Sequence, residues 1–423
     1  MAQHKKKASG YQREKLAKAH HKNEFFRKFK HILNSLCGEE VYSQIPPLVL
    51  GNLYNARTHS LKLVVADGNN VPYKTVNEAK WLLSAFTKEK KIAITPNGLE
   101  ITLDEFYTIG LTIRYLYDKV LSVDLPYAVS LRTGLQDYVT NLENTYAQAN
   151  KKLYEILCAF GLGFCDIGKS LYWFEYEIEC TPDFVGLQNI INMFSHDAAS
   201  TQVEINAHPR PIKRVGWASA FTGLDWITLK PSVFKIKSPF ADVPLNVYIQ
   251  SHALQRLSER IDCFQTGVVQ FNMYLSLRDP KVFYDHHHNI LVEFRISNTK
   301  AGYFRVDMVE GMIVIRTFLF VTNSGTPEGQ KLEQNTGLQK LDKKYLAIDK
   351  LSTFMTSDIG NNQEVRNIFV AAGCKCLIDL YEGMNPLVTK HSKQFDANLM
   401  LKYLAYHQPS FPETIPRHDS AEM

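Results

Sequence analysis

The sequence predicts an α+β protein. Its 423 residues are 45% hydrophobic, which is enough for a sizeable buried core, and the length indicates two or three domains. Apolar residues recur at helical spacing through most of the first 160 residues, whereas strand-like alternation begins near residue 171. This change of period predicts a mainly helical N-terminal region, a central sheet and a helical C-terminal segment.

A basic arm and an amphipathic helix are predicted over residues 1–36. Residues 1–30 contain ten Lys/Arg, including Lys5, Lys6 and Lys7, and two Glu, so their net charge is +8. Because the whole chain is +5, the remainder is close to −3. A basic arm on a nearly neutral body predicts contact with RNA or DNA, and a solubilising tail is the alternative.

Residues 37–160 are predicted to form a mainly helical domain. Thr102 and Glu105 have the S/T-x-x-E spacing of a capping box, which marks the start of a helix. The domain shows no catalytic pattern, and helical packing explains its tyrosines. The expected elements are a strand at 61–66 and helices at 74–89, 102–122 and 127–160.

Residues 161–244 are predicted to form an α+β connecting region. Aromatic or apolar residues alternate with acidic ones at 171–180, as in a half-buried strand. A helix is expected near 187–195, followed by a stretch broken by Pro and Gly. The segment 209–217 is basic and aromatic, which fits either a phosphate contact or a solvated loop.

Residues 245–325 are predicted to form a helix–helix–sheet domain. The turn at 309–311 joins the last two strands as a hairpin. The chain is then expected to be helical over 326–400 and loose over 401–423. The elements expected within the domain are a strand at 245–250, helices at 251–262 and 266–276, and strands at 290–296, 302–309 and 312–321.

The first helix of this domain is two-sided. At about 100° per residue, His252, Arg256 and Arg260 lie within about 80° of one another, and apolar residues occupy the opposite face. Glu259 lies beside His252 and could orient either that residue or Arg256. One face therefore seals a core, while the other presents an imidazole and two guanidinium groups.

These residue types fit RNA cleavage by 2′-hydroxyl attack without a metal ion. Such cleavage needs a base and an acid, and histidine can serve as either near neutral pH. Arginine binds phosphate oxygens through two parallel hydrogen bonds. The candidate catalytic residues are His252, Arg256, Arg260, Arg316 and Thr317. The candidate substrate-binding residues are Glu259, Thr322, Ser324, Lys5, Lys6 and Lys7.

The stretch HALQRLSERI at 252–261, followed by a second helix and three strands, resembles small prokaryotic toxin domains with an H-A-x-x-R-x-x-x-R helix. Those domains belong to the barnase–EndoU–colicin–RelE group of metal-independent ribonucleases. The resemblance implies that His252 is the acid or base and that Arg256 and Arg260 bind phosphate. It also implies that Arg316 or Thr317 supplies the strand residue. The related toxins are small and stand alone, whereas this segment is about a fifth of the chain.

The sequence predicts no metal or cofactor site. Three adjacent histidines at 286–288 cannot all face one ion, and a polar loop explains them better. Gly-rich phosphate loops, G-x-S-x-G and H-E-x-x-H are absent, which argues against NTPases, serine hydrolases and zinc proteases. The seven cysteines lack a C-x-x-C pair and are interpreted as free thiols in a reducing compartment.

Two hypotheses about function follow. No run approaches the ~20 apolar residues of a membrane span, and a secretory h-region is lacking, so we expect a cytoplasmic protein without membrane contact. The first hypothesis is an RNA-binding protein with a ribonuclease-like domain, whose helical flanks bind RNA or a protein partner. The second is a non-catalytic nucleic-acid-binding or assembly protein of a phage or mobile element.

Overall fold

The computed structural model describes residues 10–180, 187–220, 222–237, 239–356 and 363–384. Within these ranges the protein is α+β, as the sequence predicts. The chain divides into two compact units. The first comprises residues 1–156 and 174–194, and the second comprises residues 157–173 and 195–423.

The first unit is mainly helical. Its helices are α1 (Gly10–Cys37), α2 (Val41–Gln44), α3 (Pro47–Asn55), α4 (Tyr73–Glu89), α5 (Leu103–Glu105), α6 (Leu111–Val120), α7 (Pro126–Gly134), α8 (Gln136–Thr140) and α9 (Leu142–Phe164), whose residues 157–164 belong to the second unit. The single helix predicted at 127–160 is wrong, because α7, α8 and α9 replace it. The first break follows Gly134, which lies so close to Cys37 of α1 that a Cβ there would come within 2.7 Å of that side chain. Only glycine permits this approach, and glycine also favours the helix less than other residues do.

The predicted capping box is confirmed. The Thr102 hydroxyl accepts a hydrogen bond from the Glu105 backbone N–H at 3.2 Å, and the Glu105 carboxylate accepts one from the Thr102 N–H at 3.0 Å. Between α5 and α6 the chain makes a π-helical turn, Phe106–Gly110. The Tyr138 hydroxyl donates to the carbonyl of Gly110 there, at 2.9 Å. The helix predicted at 102–122 therefore forms, with one wider turn inside it.

A three-stranded sheet lies mainly in the first unit, although residues 170–173 and 195–197 of its strands belong to the second. Its strands are β1 (His59–Val65), β4 (Ser170–Cys180) and β5 (Leu187–Asp197), in the order β1–β5–β4, and β2 (Lys91–Ala93) and β3 (Glu100–Thr102) form a separate hairpin. The helix predicted near 187–195 is wrong, because this segment is the central strand β5. Ile190 and Ile191 are both buried although they point to opposite faces. A strand covered on both faces loses the alternation that would have identified it from sequence.

The second unit is built on an eight-stranded sheet within the described residues. Its strands are β6 (Ser200–Ile205), β7 (His208–Arg214), β10 (Thr228–Leu229), β11 (Leu245–Gln250), β12 (Val282–Tyr284), β13 (Ile290–Ile296), β14 (Thr299–Val309) and β15 (Met312–Phe320). The order is β12–β13–β14–β15–β11–β7–β6, with β10 beside β11, and β11 runs parallel to β15. A small hairpin joins β8 (Gly216–Ser219) and β9 (Gly223–Trp226).

The helices of the second unit follow the predicted order. They are α10 (Ser251–Arg260), α11 (Thr266–Arg278), α12 (Pro327–Thr336), α13 (Lys340–Tyr345), α14 (Leu351–Thr356), α15 (Gln363–Ala371) and α16 (Lys375–Met384). The succession of strand, two helices and antiparallel strands expected within 245–325 is present. The sheet also continues through β7 and β6, outside that segment, so the strands of 245–325 do not form a separate sheet.

Strand register assigns the core residues of this sheet to its two faces. Ile249 lies opposite Ile315, whereas the neighbouring pair, Tyr248 and Val314, points to the other face. The second face holds a buried cluster of Val203, Ile205, Ile212 and Val314. Strands from the predicted connecting region therefore share one core with the predicted domain.

Candidate nucleic-acid contact surfaces

Helix α10 has the two faces that the sequence predicts. Ala253 and Leu257 are buried, and Ile261, just beyond the helix, is 1% exposed. His252 is exposed in the first turn. The helix begins directly after β11, and it packs against β11 and β15. Burial of the apolar face therefore fixes the orientation of the stripe formed by His252, Arg256 and Arg260.

Arg256 is neutralised within its own helix. Its guanidinium forms an ion pair with Glu259 at 3.0 Å, and the Gln255 amide also donates to Glu259, at 2.9 Å. The two charged side chains are 42% and 40% exposed. The sequence allowed Glu259 to orient either His252 or Arg256, and the structure places it on Arg256. Exposed pairs of this kind break easily, so Arg256 could still exchange Glu259 for a phosphate.

Arg260 has a long-range partner. Its guanidinium forms an ion pair with Asp349, and both side chains are more than 80% buried, being 19% and 13% exposed. Nearby, the carboxylate of Asp262 accepts hydrogen bonds from the backbone N–H and the hydroxyl of Ser352, at 3.0 and 2.8 Å. These contacts hold the chain before α14 against the end of α10. Arg260 is therefore engaged in an ion pair in this structure, and its predicted role as a phosphate ligand stays a prediction that requires it to leave Asp349.

Arg316 is also paired with a carboxylate. It lies on β15 and binds Asp307 of β14 at 2.5 Å, beside an irregularity in the register of the two strands, where Arg305 is opposite Thr317. Among the described residues, no hydrogen bond or ion pair joins Arg316 or Thr317 to the stripe on α10. The predicted catalytic residues therefore do not form a connected group.

Neither hydroxyl predicted just beyond β15 is free. Thr322 is fully buried, and its hydroxyl donates to the carbonyl of Ile348 at 2.8 Å. Ser324 donates to Glu333 at 2.6 Å and accepts from Lys343 at 3.0 Å. Both hydroxyls are occupied by contacts with the C-terminal segment, so their assignment to substrate binding stays a prediction without support from this geometry.

The histidine loop is organised by an aspartate. The carboxylate of Asp285 accepts hydrogen bonds from the backbone N–H groups of His287 and Asn289, both at 2.8 Å, and from the Asn289 amide at 2.7 Å. Burial raises the pKa of Asp285, but the hydrogen bonds from Asn289 and His287 outweigh it, and the pKa lies below its ordinary value. No group of three or more potential metal ligands occurs among the described residues.

The N-terminal half of α1 is uncovered. Every residue from Glu14 to Asn23 is exposed, so this part of the helix buries no side chain in a core. From Phe25 onwards the helix docks, and Phe29 and Leu33 are fully buried. The basic helix predicted over 11–36 is therefore confirmed, but only its second half is anchored by a core. Lys5, Lys6 and Lys7 lie outside the described residues.

The charge of α1 is mostly positive. Gly10–Cys37 contains seven Lys/Arg and two Glu. Lys18 pairs with Glu14 at 2.7 Å, and Lys22 lies 5.5 Å from the centre of the Tyr54 ring. Lys15 has no ion pair within the described part of the chain. This half-helix therefore presents a surface of exposed cations.

Sequence reasoning missed a further group of polar residues, which lies between β1 and α4. Lys62 and Lys80 line a cleft there with Ser60 and Ser84. The strand and the helix were each predicted, but no signal in the sequence indicated that they lie side by side.

Comparison with protein-family models, curated proteins and solved structures finds no match to this chain. Among the described helices, none is both long and apolar enough to cross a membrane.

Proposed function

We propose that this protein binds nucleic acid through the N-terminal half of α1 together with the basic segment that precedes it. One observation carries the proposal: residues Glu14 to Asn23 form a helix that is exposed on every side and rich in Lys and His. RNA is the first ligand to test.

An uncovered helix lacks the contacts that usually stabilise helices. Most helical stability in proteins comes from packing of an apolar face, and short isolated helices are marginal in water. The exposed half of α1 has no such face, and its lysines repel one another. A polyanion would remove that repulsion and release condensed counterions, which drives binding. We therefore expect binding to phosphates with little dependence on base sequence.

The test compares two sets of exposed lysines. Gln replaces Lys15, Lys18 and Lys22 in one variant, because Gln removes the charge and keeps helix propensity. Lys74, Lys88 and Lys91, which are also exposed, are replaced in the matched control. Affinity for a 20-nucleotide poly-uridine RNA is measured by fluorescence anisotropy between 50 and 200 mM salt. Three phosphate contacts contribute about 2 to the slope of log affinity against log salt.

We expect the α1 variant to lose that part of the slope and the control to keep it. Circular dichroism checks that the helix persists in both variants. An α1 variant with wild-type affinity and slope would mean that the helix is a solubilising segment and would refute the proposal.

Metal-independent RNA cleavage is the second candidate function. It is favoured by the succession of β11, α10, α11 and the strands β13 to β15, with an exposed His252 one turn before Arg256. The same features carry the resemblance to toxin ribonucleases. In this candidate mechanism His252 transfers a proton, and Arg256 leaves Glu259 to bind the phosphate.

This candidate predicts RNA cleavage in EDTA that leaves 2′,3′-cyclic phosphate ends. His252→Ala should lower the rate by ~10²–10⁴, the usual contribution of a general acid or base. His287→Ala changes an exposed histidine of the same unit and is the control. If RNA stays intact in EDTA, or if His252→Ala retains full activity, the catalytic assignment is refuted and RNA binding through α1 is unaffected.

A further inference from the structure

A cleft of about 390 Å³ lies between β1 and α4 in the first unit. It is lined by five consecutive residues of β1, His59 to Leu63, by Lys80, Leu83 and Ser84 of α4, and by Gln188 of β5. Consecutive side chains of a strand point to opposite faces of its sheet. The cleft touches all five residues, and the pairing of β1 with β5 is irregular between His59 and Lys62, so the cleft follows the β1 chain and not a single face of the sheet.

The main chain of β1 offers hydrogen-bonding groups to this cleft. β1 is the edge strand of its sheet and pairs only with β5 among the described strands. The carbonyl of Ser60 is directed towards β5, because it accepts a hydrogen bond from the Gln188 side chain at 2.9 Å. In a trans peptide the next N–H points the opposite way. The N–H of Leu61 is therefore directed away from the Gln188 amide.

The polar side chains of the cleft select for negative charge. Lys62 and Lys80 are both exposed, and the hydroxyls of Ser60 and Ser84 can donate hydrogen bonds. Lys80 and Ser84 are four residues apart on α4, so they lie on the same side of that helix. No carboxylate belongs to the residues that line the cleft. A ligand with carboxylate groups is therefore complementary to it.

We propose that the cleft binds an extended acidic peptide, which pairs with the open edge of β1 as an added strand. Main-chain hydrogen bonds to Leu61 would give affinity, and acidic side chains at alternate positions would reach Lys62 and Lys80. The five lining residues of β1 span about 16 Å, enough for a peptide of similar length. A second copy of this chain is a poorer occupant, because pairing two β1 edges brings like charges of Lys62 together.

The probe is a fluorescein-labelled pentapeptide of alternating valine and glutamate, blocked at its C-terminus. We expect it to bind the full-length protein and to slow hydrogen exchange of the backbone amides in 59–65. Charge reversal of both lysines, Lys62→Glu with Lys80→Glu, should weaken binding roughly tenfold or more. Lys74→Glu, on the same helix but outside the cleft, should leave the affinity unchanged.

Two further peptides test the strand pairing on the unaltered protein. Methylation of every backbone nitrogen keeps the charge but removes the donors, so this peptide should not bind. A pentapeptide of alternating valine and lysine should not bind either. Because these measurements use the wild-type chain, they decide the question even if a variant fails to fold.

Several results would overturn the proposal. These are no binding at millimolar probe, equal binding of the N-methylated peptide, and unchanged exchange in 59–65. Concentration-dependent dimers that charge reversal abolishes would assign the edge to a second copy. Loss of poly-uridine affinity in the cleft variant, with competition between RNA and peptide, would assign the cleft to nucleic acid. The α1 lysine variant should keep wild-type peptide affinity, so the two proposals fail separately.

Discussion

Helices α1 and α10 look alike in sequence, because each carries basic side chains at helical spacing, yet the structure treats their charges differently. On α10, Arg256 and Arg260 each bind a carboxylate. On the exposed half of α1, Lys18 pairs with Glu14. Lys15 has no carboxylate partner among the described residues, and Lys22 lies over an aromatic ring. A basic stripe becomes a candidate polyanion surface only where the fold leaves its charges unneutralised.

The two helices also differ in how much of their surface is buried. The apolar face of α10 is fully used in a core, and Arg260 closes the junction with the chain near Asp349. The first half of α1 is exposed and contacts the rest of the described chain at its end, where Lys22 lies over the Tyr54 ring. The ion pair of Arg260 therefore contributes to stability, whereas Lys15 and Lys22 of α1 are available to a ligand.

The largest expected effect is on stability, at Arg260. Arg260→Ala leaves Asp349 buried without its cation, and breaking a largely buried pair in this way costs about 3 kcal/mol. The free energy of unfolding is measured in urea by tryptophan fluorescence, since Trp173, Trp217 and Trp226 belong to the second unit. Joint replacement, Arg260→Met with Asp349→Leu, should recover most of the loss.

Arg260→Ala can also contradict the contrast drawn between the charges of α1 and α10. If Arg260→Ala has wild-type stability and loses RNA binding or cleavage, Arg260 is a phosphate ligand after all. The stripe on α10 would then rank with α1 as a contact surface.

A smaller effect is expected at His59, on the pH dependence of stability. Burial, followed by the charges of Arg57 and His21, lowers the pKa of His59. Above the ordinary pKa, near 6.5, His59 is neutral in both the folded and the unfolded chain and has no effect. Below about pH 6.5 the unfolded chain takes up the proton first. The free energy of unfolding therefore decreases as the pH falls, until the pH passes the lowered pKa of His59 in the folded chain.

His59→Gln should therefore lose less stability than the wild type between pH 8 and pH 5, as measured by thermal unfolding at each pH. Replacement of His31, an exposed residue of α1, is the control and should change this difference little. An identical pH dependence of His59→Gln and the wild type would mean that the positive charge around His59 has no energetic consequence.

The smallest effect is expected at Arg256. Arg256→Ala removes an exposed pair three residues apart on one helix, worth about 0.5 kcal/mol or less. Urea unfolding should barely distinguish this variant from the wild type. A loss comparable to that of Arg260→Ala would show that the exposed pair of Arg256 stabilises the fold as much as the largely buried pair of Arg260 does.

The sequence by itself determined the local structure of α10 and the order of elements in 245–325, except for the short strand β12, which it did not predict. The apolar repeat of α10 can be recognised within its ten residues, and the capping box at Thr102 involves only the three residues that follow it. It determined the basic character of α1 equally well. These features follow from the sequence because their interactions join residues a few positions apart.

Sequence was less informative where neighbours came from far along the chain. The strand β5 was predicted as a helix because both of its faces are covered, which removes strand alternation. Its place in the sheet depends on pairing with β1, which lies more than 120 residues earlier in the chain. No local pattern contains that information.

The tertiary structure alone decided which charges are free. The partner of Arg260 is 89 residues away, and the cleft that combines Lys62 with Lys80 exists only because α4 packs against β1. The hydrophobic core sets these distances when it forms, and the electrostatic interaction of a charge then depends on separation and burial. The types of functional residue could therefore be read from the sequence, whereas their availability to a ligand depends on the fold.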